Sequence, residues 1–156
     1  MALPVGTKAP DFTAPIEGGA NLSLSAYLGK WVVLYFYPKD NTPGCTKEAK
    51  CFRDSMADIT ALGAEVIGVS PDKPATHDKF REKHDLNFHL VADTDKEICR
   101  EYDVLGEKKM FGKVFHGVVR STYIIDDEGI IRHVFPKVKV AGHVEEVIEK
   151  LKELQK

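Results

Sequence analysis

Cys45 is the residue of this sequence best placed to do chemistry. It follows a turn-rich segment, Lys39-Asp-Asn-Thr-Pro-Gly44, and opens a run with helical periodicity. In the first turn of a helix a cysteine faces unpaired backbone N–H groups and the positive end of the helix dipole, and both stabilise a thiolate. Thr42 adds a hydroxyl, while Pro38 and Pro43 stiffen the loop and remove two N–H donors. The pattern favours a nucleophilic thiol over the alternative, a small side chain packed on the inner helix face.

Strands and helices alternate around this cysteine. Trp31 to Tyr37 is a continuous apolar run rich in β-branched and aromatic residues, which predicts a central strand covered on both faces. The next segments predict, in order, a helix whose inner face carries Ala49, Phe52, Met56 and Ile59, a strand at 66–69, a helix at 75–83, a strand at 88–91, a short helix with Ile98 and Tyr102, a hairpin of 122–125 and 130–135, and a helix with Val144, Val147, Ile148 and Leu151. This order predicts an α/β fold, a three-layer α/β/α sandwich with a mixed central sheet. Cys45 then lies beyond the carboxyl end of a strand, where open α/β sheets bind ligands.

Length and charge narrow the range of functions. The chain has 156 residues, the size of one domain, and we expect a single domain over 1–156. Its 22 basic and 24 acidic side chains give a net charge of -2, which provides no general field for nucleic acid or anionic lipid. No signal peptide or membrane-spanning run is evident in the sequence, so we expect a cytoplasmic protein with neither a nucleic-acid nor a membrane partner.

The residues around Cys45 carry a family resemblance. Pro38-Lys-Asp-Asn-Thr42-Pro-Gly-Cys45 matches the Pro-x-x-x-Thr-x-x-Cys motif of peroxiredoxins, and the longer segment from Tyr35 to Thr46 resembles the bacterioferritin comigratory protein, or PrxQ, branch. The similarity continues in the segments 6–12, 106–112, 120–123 and 137–143. It covers essentially the whole chain. The resemblance implies a thioredoxin-like fold that reduces hydrogen peroxide or organic hydroperoxides.

The resemblance also implies a role for each of four residues. Cys45 is expected to be the peroxidatic cysteine, Thr42 to orient the peroxide, Pro38 to shield the thiolate, and Arg120 to bind near both sulfur and peroxide. Arg120 suits this role because it stays protonated and carries several donors in a fixed fork. The implied reaction oxidises the thiolate to a sulfenic acid without a metal or an organic cofactor. Thioredoxin or a similar thiol is expected as reductant, and a monomer as the active form.

The histidines show no metal-binding spacing. The sequence lacks a His-x-x-x-His pair and a Cys-x-x-Cys pair that could join them. We expect structural or surface roles for all six, namely His77, His84, His89, His116, His133 and His143.

The cysteine that resolves the sulfenic acid is less clearly marked. In one kind of PrxQ protein it lies five residues after the peroxidatic cysteine, where this chain has Lys50, with Cys51 one position later. In another kind it lies near the position of Arg81, which is not a cysteine. Cys51 is the resolving candidate. The alternatives are a one-cysteine mechanism with an external thiol, a bridge to Cys99, and an intermolecular bridge. Cys99 is expected to be a buried, inert thiol.

Two other functions compete with a peroxidase. A thioredoxin-like disulfide oxidoreductase would use a Cys-x-x-Cys pair at the same helix start, and that pair is absent. A non-catalytic redox sensor would use the oxidation of Cys45 to change the binding of a partner. The segment Gly106 to Gly112 lacks the spacing of a nucleotide-binding loop, and we expect a flexible loop. This loop either borders the active site or the docking surface of a reductant, or is merely solvated.

Overall fold

A mixed five-stranded sheet forms the centre of the structure, a computed structural model that describes residues 2–156. The strands are β1 (Thr13–Pro15), β2 (Asn21–Ser23), β3 (Trp31–Phe36), β4 (Ala64–Ser70), β5 (His89–Ala92), β6 (Leu105–Met110), β7 (Lys113–Val118), β8 (Ser121–Ile125) and β9 (Ile131–Phe135). The central sheet has the order β5-β4-β3-β8-β9. Strands β3, β4 and β5 are parallel, whereas β8 runs antiparallel to β3 and to β9. The predicted mixed sheet is confirmed.

The helices lie on both faces of this sheet. They are α1 (Pro43–Asp54), α2 (Met56–Ala61), α3 (Pro74–Lys83), α4 (Glu97–Glu101) and α5 (His143–Leu154). Alternate residues of β3 serve the two faces, as expected for a strand of period two. Val33 and Tyr35 pack in a core cluster with residues of α1, α2, α3 and α5, whereas Leu34 and Phe36 pack in a second cluster with α4 and the N-terminal segment. Helices therefore cover both faces, as the unbroken apolar run of β3 predicts.

The helix predicted after Cys45 is divided in two. Ser55 has φ −101° and ψ 5°, outside helical geometry, and separates α1 from α2. The predicted inner face is otherwise confirmed, since Cys45, Ala49 and Ile59 are buried. Met56, directly after the break, is only partly buried.

The prediction of a flexible loop at 106–112 is wrong. Strands β6 and β7 pair as an antiparallel hairpin separate from the central sheet. Its two turn residues, Phe111 and Gly112, have φ of 53° and 75°, and a two-residue turn with positive φ at both positions suits the twist of a hairpin. Asn or Asp usually precedes the glycine of such a turn, so the phenylalanine at the first position hid the signal. A shorter hairpin, β1 with β2, was also not predicted.

Within residues 2–156, none of the helices combines the length and the apolar character needed to cross a lipid bilayer.

Candidate active site

Cys45 lies in the first turn of α1, on the side that faces the core. Pro43 begins the helix, as is common for proline at the first helical position, and the N–H of Thr46 donates to the carbonyl of Thr42 at 2.9 Å. Only 1% of Cys45 is exposed. The thiol is thus held at the start of a helix in a nearly closed environment, where its charged form depends on nearby donors.

Arg120 supplies such a donor. Its Nη2 donates to Cys45 Sγ at 3.2 Å. The sheet explains how two residues so distant in sequence meet: β8 pairs with β3, and the first residue of β8, Ser121, is opposite the last residue of β3, Phe36. The residue before β8 therefore lies beside the loop that leaves β3. The structure brings the predicted pair of Cys45 and Arg120 together.

Glu48 holds the same guanidinium from the other side. Arg120 Nη1 donates to Glu48 Oε1 at 2.6 Å, so the two nitrogens of the fork bind a carboxylate and a sulfur. Glu48 is buried, three residues after Cys45 and on the same face of α1. Burial raises the pKa of Glu48 to about 7, against the lowering effect of Arg120. Sequence analysis missed this residue, although a carboxylate three residues after the cysteine, on the predicted inner face, was a visible signal.

Thr42 and Pro38 lie in the loop between β3 and α1. The hydroxyl of Thr42 donates to the carbonyl of Lys39 at 3.1 Å, a bond that closes the loop across three residues. Both Thr42 and Pro38 are partly buried. Asn41 has a φ of 65°, in the left-handed region that asparagine tolerates better than most residues. The loop is therefore tightly folded immediately before Cys45.

A buried polar network anchors this loop. Asp40 accepts a hydrogen bond from the hydroxyl of Tyr37 at 2.6 Å, and its other carboxylate oxygen lies 2.7 Å from His77 Nδ1 on α3. The N–H of Asp40 donates to Asp72 at 2.8 Å, and the hydroxyl of Ser70 donates to the same Asp72 oxygen at 2.7 Å. Asp40, Asp72 and His77 bring three possible metal-ligand atoms within 4.8 Å of one another. Because these side chains already bond to protein groups, we interpret the cluster as a structural network.

The other two cysteines have different environments. Cys51 is partly buried on α1 and lines a groove of about 450 Å³, together with Lys47, Lys50 and Lys83. Cys99 is fully buried, as predicted. Burial, together with Asp93, raises the pKa of the Cys99 thiol well above its ordinary value, which makes it a poor nucleophile.

The β6–β7 hairpin borders the site. Lys108 is partly buried, and burial together with the charge of Arg120 lowers its pKa. The charge of Cys45 has the opposite effect and raises the pKa of Lys108. Lys108 therefore lies close enough to interact electrostatically with both Arg120 and Cys45. Phe111, at the tip of the hairpin, is 95% exposed. Lys108 therefore lies near the site, whereas the tip of the hairpin faces solvent.

Comparisons with known proteins identify the family of this chain. The model of the AhpC/TSA family matches residues 5–134. The chain is 49% identical to a putative peroxiredoxin, bcp, of Coxiella burnetii over 97% of this chain and 100% of the relative, and 47% identical to peroxiredoxin Bcp of Bacillus subtilis over 99% and 98%. A solved structure of the bacterioferritin comigratory protein of Xanthomonas campestris, studied for alkyl peroxide reduction, superposes with a TM-score of 0.91 at 40% identity and covers all of both chains.

Proposed function

The chain belongs to the AhpC/TSA family and is a thiol-dependent peroxidase, and we propose that Cys45 is the thiol that attacks the peroxide. A peroxide substrate and a thiol reductant follow from the family. The observation that carries the assignment of Cys45 is the 3.2 Å hydrogen bond from Arg120 to its buried sulfur. A thiolate removed from water needs such a donor, because burial alone disfavours the charged form.

In the proposed reaction, the Cys45 thiolate attacks one peroxide oxygen. The S–O bond forms as the O–O bond breaks, and the departing oxygen takes up the proton that the thiol released, leaving as water or an alcohol. Arg120 stabilises the negative charge on sulfur and on the departing oxygen, and Glu48 keeps the guanidinium in place. Thr42 orients the peroxide through its hydroxyl, and Pro38 shields the sulfur from water. The peroxide is reduced by two electrons and Cys45 becomes a sulfenic acid.

Replacement of the proposed nucleophile tests this assignment. We expect Cys45→Ser to lose peroxide reduction to the uncatalysed background, measured as consumption of hydrogen peroxide and cumene hydroperoxide with excess thiol. Cys99→Ser is the matched control, since it replaces a buried thiol that the reaction does not use. Activity of Cys45→Ser above background, with a folded protein, would remove Cys45 from the mechanism.

We propose further that Cys51 attacks the sulfenic acid of Cys45, releasing water and forming a disulfide. On an intact helix six residues separate the Cα atoms by about 9 Å along the axis and about 240° around it, whereas bridged Cα atoms lie within roughly 7 Å. Both residues lie inside α1, so the first turns of this helix must unwind. The ion pair of Glu48 with Arg120 opposes this step. Oxidation favours it, because the sulfenic acid no longer presents a full negative charge to Arg120.

Peptide mapping distinguishes Cys51 from its alternatives. After one equivalent of peroxide, a digest analysed without reductant should contain a disulfide-linked peptide that joins Cys45 to Cys51. In Cys51→Ser we expect the sulfenic acid to accumulate and turnover with thioredoxin to be lost. Normal turnover of Cys51→Ser would instead indicate the one-cysteine mechanism, in which an external thiol attacks Cys45 directly. Thioredoxin is the reductant we propose and a monomer the active form. Gel filtration of the reduced and oxidised protein tests the latter.

A further inference from the structure

The anchor of the loop before Cys45 consists of two buried groups that must hold a proton between them. The ring of His77 is fully buried, and its Nε2 lies 3.0 Å from the carbonyl oxygen of Val91 on β5. A carbonyl only accepts hydrogen bonds, so Nε2 carries a hydrogen. The other ring nitrogen, Nδ1, lies 2.7 Å from a carboxylate oxygen of Asp40. One further proton therefore lies between Nδ1 and Asp40.

The surroundings place that proton on His77. The hydroxyl of Tyr37 donates to the second oxygen of Asp40 at 2.6 Å, so each oxygen of Asp40 has its own partner. Burial lowers the pKa of His77, but the hydrogen bond to Asp40, the charge of Asp40, the bond to Val91 and the charge of Asp72 together raise it above its ordinary value. Tyr37 and Asp40 face the ring from the loop, Asp72 from the turn after β4, and the Val91 carbonyl from β5. The pair is thus an imidazolium and a carboxylate.

This ion pair ties the loop to two distant elements. Asp40 lies midway between Pro38 and Thr42, and the loop also contains Asn41 with its positive φ. A strained backbone of this kind persists only where its surroundings hold it. Loss of the contact between His77 and Asp40 would free the loop to relax, and the relaxation would reach Thr42, which immediately precedes α1, and then Cys45.

We infer that the His77–Asp40 ion pair is a positioning device for peroxide reduction: it holds the loop that carries Pro38 and Thr42 at the distance from Cys45 at which the peroxide is oriented. His77 acts through Asp40 and does not touch the substrate. This inference rests on the proposed function of Cys45. Because the proton that holds the pair is removable, the device weakens as pH rises through the pKa of His77.

Two substitutions of His77 separate its two contacts. The side-chain nitrogen of asparagine reaches the position of Nδ1, and that of glutamine reaches the position of Nε2. His77→Asn therefore keeps the bond to Asp40 and loses the bond to Val91, whereas His77→Gln does the reverse. Each variant keeps one of the two buried hydrogen bonds and loses the other, so the comparison separates the contact with Asp40 from the contact with Val91. His89→Gln is a control, because His89 pairs with Glu17 at 2.8 Å and not with a residue of the loop.

The rate constant of Cys45 with hydrogen peroxide, measured by competition with horseradish peroxidase at pH 7, tests the inference. We expect His77→Gln and Asp40→Asn to react at least tenfold more slowly than the wild type, His77→Asn to recover most of that loss, and His89→Gln to match the wild type. In the wild type at pH 7, nitrogen-15 NMR should show both ring nitrogens of His77 protonated. The inference is wrong if folded His77→Gln reacts within twofold of the wild type, if His77→Asn is as slow as His77→Gln, or if the ring is neutral. The activity of Cys45→Ser tests only the proposed function, so a failure of that proposal can be distinguished from a failure of the inference about His77.

Discussion

Two buried carboxylates flank Cys45, and they differ in how many of their oxygens accept hydrogen bonds. Asp40, five residues before the cysteine, accepts hydrogen bonds on both of its oxygens, from Tyr37 and His77. Glu48, three residues after it, accepts one from Arg120, and its second oxygen is buried without a hydrogen-bond partner among residues 2–156. Both face a cationic side chain, yet only one is fully satisfied.

The difference in hydrogen bonding corresponds to a difference in role between Asp40, which supports the loop, and Glu48, which lies beside the reacting groups. A buried ion pair whose polar atoms are all bonded fixes one geometry, whereas an unsatisfied buried oxygen costs free energy that the fold must supply elsewhere. The unsatisfied oxygen belongs to the carboxylate beside Arg120, which must also bind sulfur and peroxide. The fully bonded Asp40 instead holds the backbone of the loop. Hydrogen bonding is thus incomplete at Glu48, beside the reacting groups, and complete at Asp40, which only positions the loop.

The largest effect on the rate of peroxide reduction is expected from replacing Arg120, the partner of Glu48. Arg120→Met keeps a long side chain and removes the donors to both Cys45 and Glu48. We expect the rate constant with hydrogen peroxide to fall about 10²- to 10³-fold, the usual cost of losing a preorganised donor to developing negative charge. Stopped-flow kinetics measures it. Arg132→Met is the control, since Arg132 forms a longer and more exposed pair with Asp126 at 3.4 Å. A loss of less than threefold would place Arg120 outside the reaction.

The incomplete bonding of Glu48 should appear in the pH dependence of stability. Between pH 4.5 and about 7, the folded protein binds a Glu48 proton that the unfolded chain has released, so the free energy of unfolding should fall as pH rises. The contribution is of the order of 3 kcal/mol across this window. Urea unfolding of the wild type and of Glu48→Gln at several pH values measures it. Glu48→Gln should remove this part of the slope, and equal slopes in the two proteins would contradict the comparison.

The smallest effect, a loss of stability, is expected around Asp40, whose two oxygens both accept hydrogen bonds. Tyr37→Phe removes one of the two donors to Asp40 and leaves the ring in place, so we expect a loss of about 1.5–3 kcal/mol in the free energy of unfolding. His89→Gln breaks the partly exposed pair of His89 with Glu17 and should cost less than about 1 kcal/mol. Urea unfolding at pH 7 compares the two variants. If they lose equal stability, complete bonding around Asp40 is not what stabilises the loop.

Features that depend on neighbours along the chain could be predicted from the amino-acid sequence. The run from Trp31 to Tyr37 predicted the central strand because a strand buried on both faces has a continuous apolar pattern. The turn-rich loop and the helical period after it placed Cys45 at a helix start. The role of Arg120 came from the family resemblance, and the 3.2 Å contact with Cys45 agrees with it. The hairpin turn at Phe111 has no such local signal, because an atypical residue occupies a turn position that asparagine usually fills.

The pairing of the polar side chains depends instead on the three-dimensional fold. Glu48 and Arg120 are 72 residues apart, and Asp40 and His77 are 37 apart. No periodicity in the chain encodes such a pairing, because it depends on the register of β8 against β3 and on the packing of α3 beside the loop. His77 and His143 are both buried, but His77 pairs with the buried carboxylate of Asp40, whereas the partner of His143, Glu146, is exposed. Burial makes such a contact strong, since charges interact far more in a medium of low dielectric constant than in water.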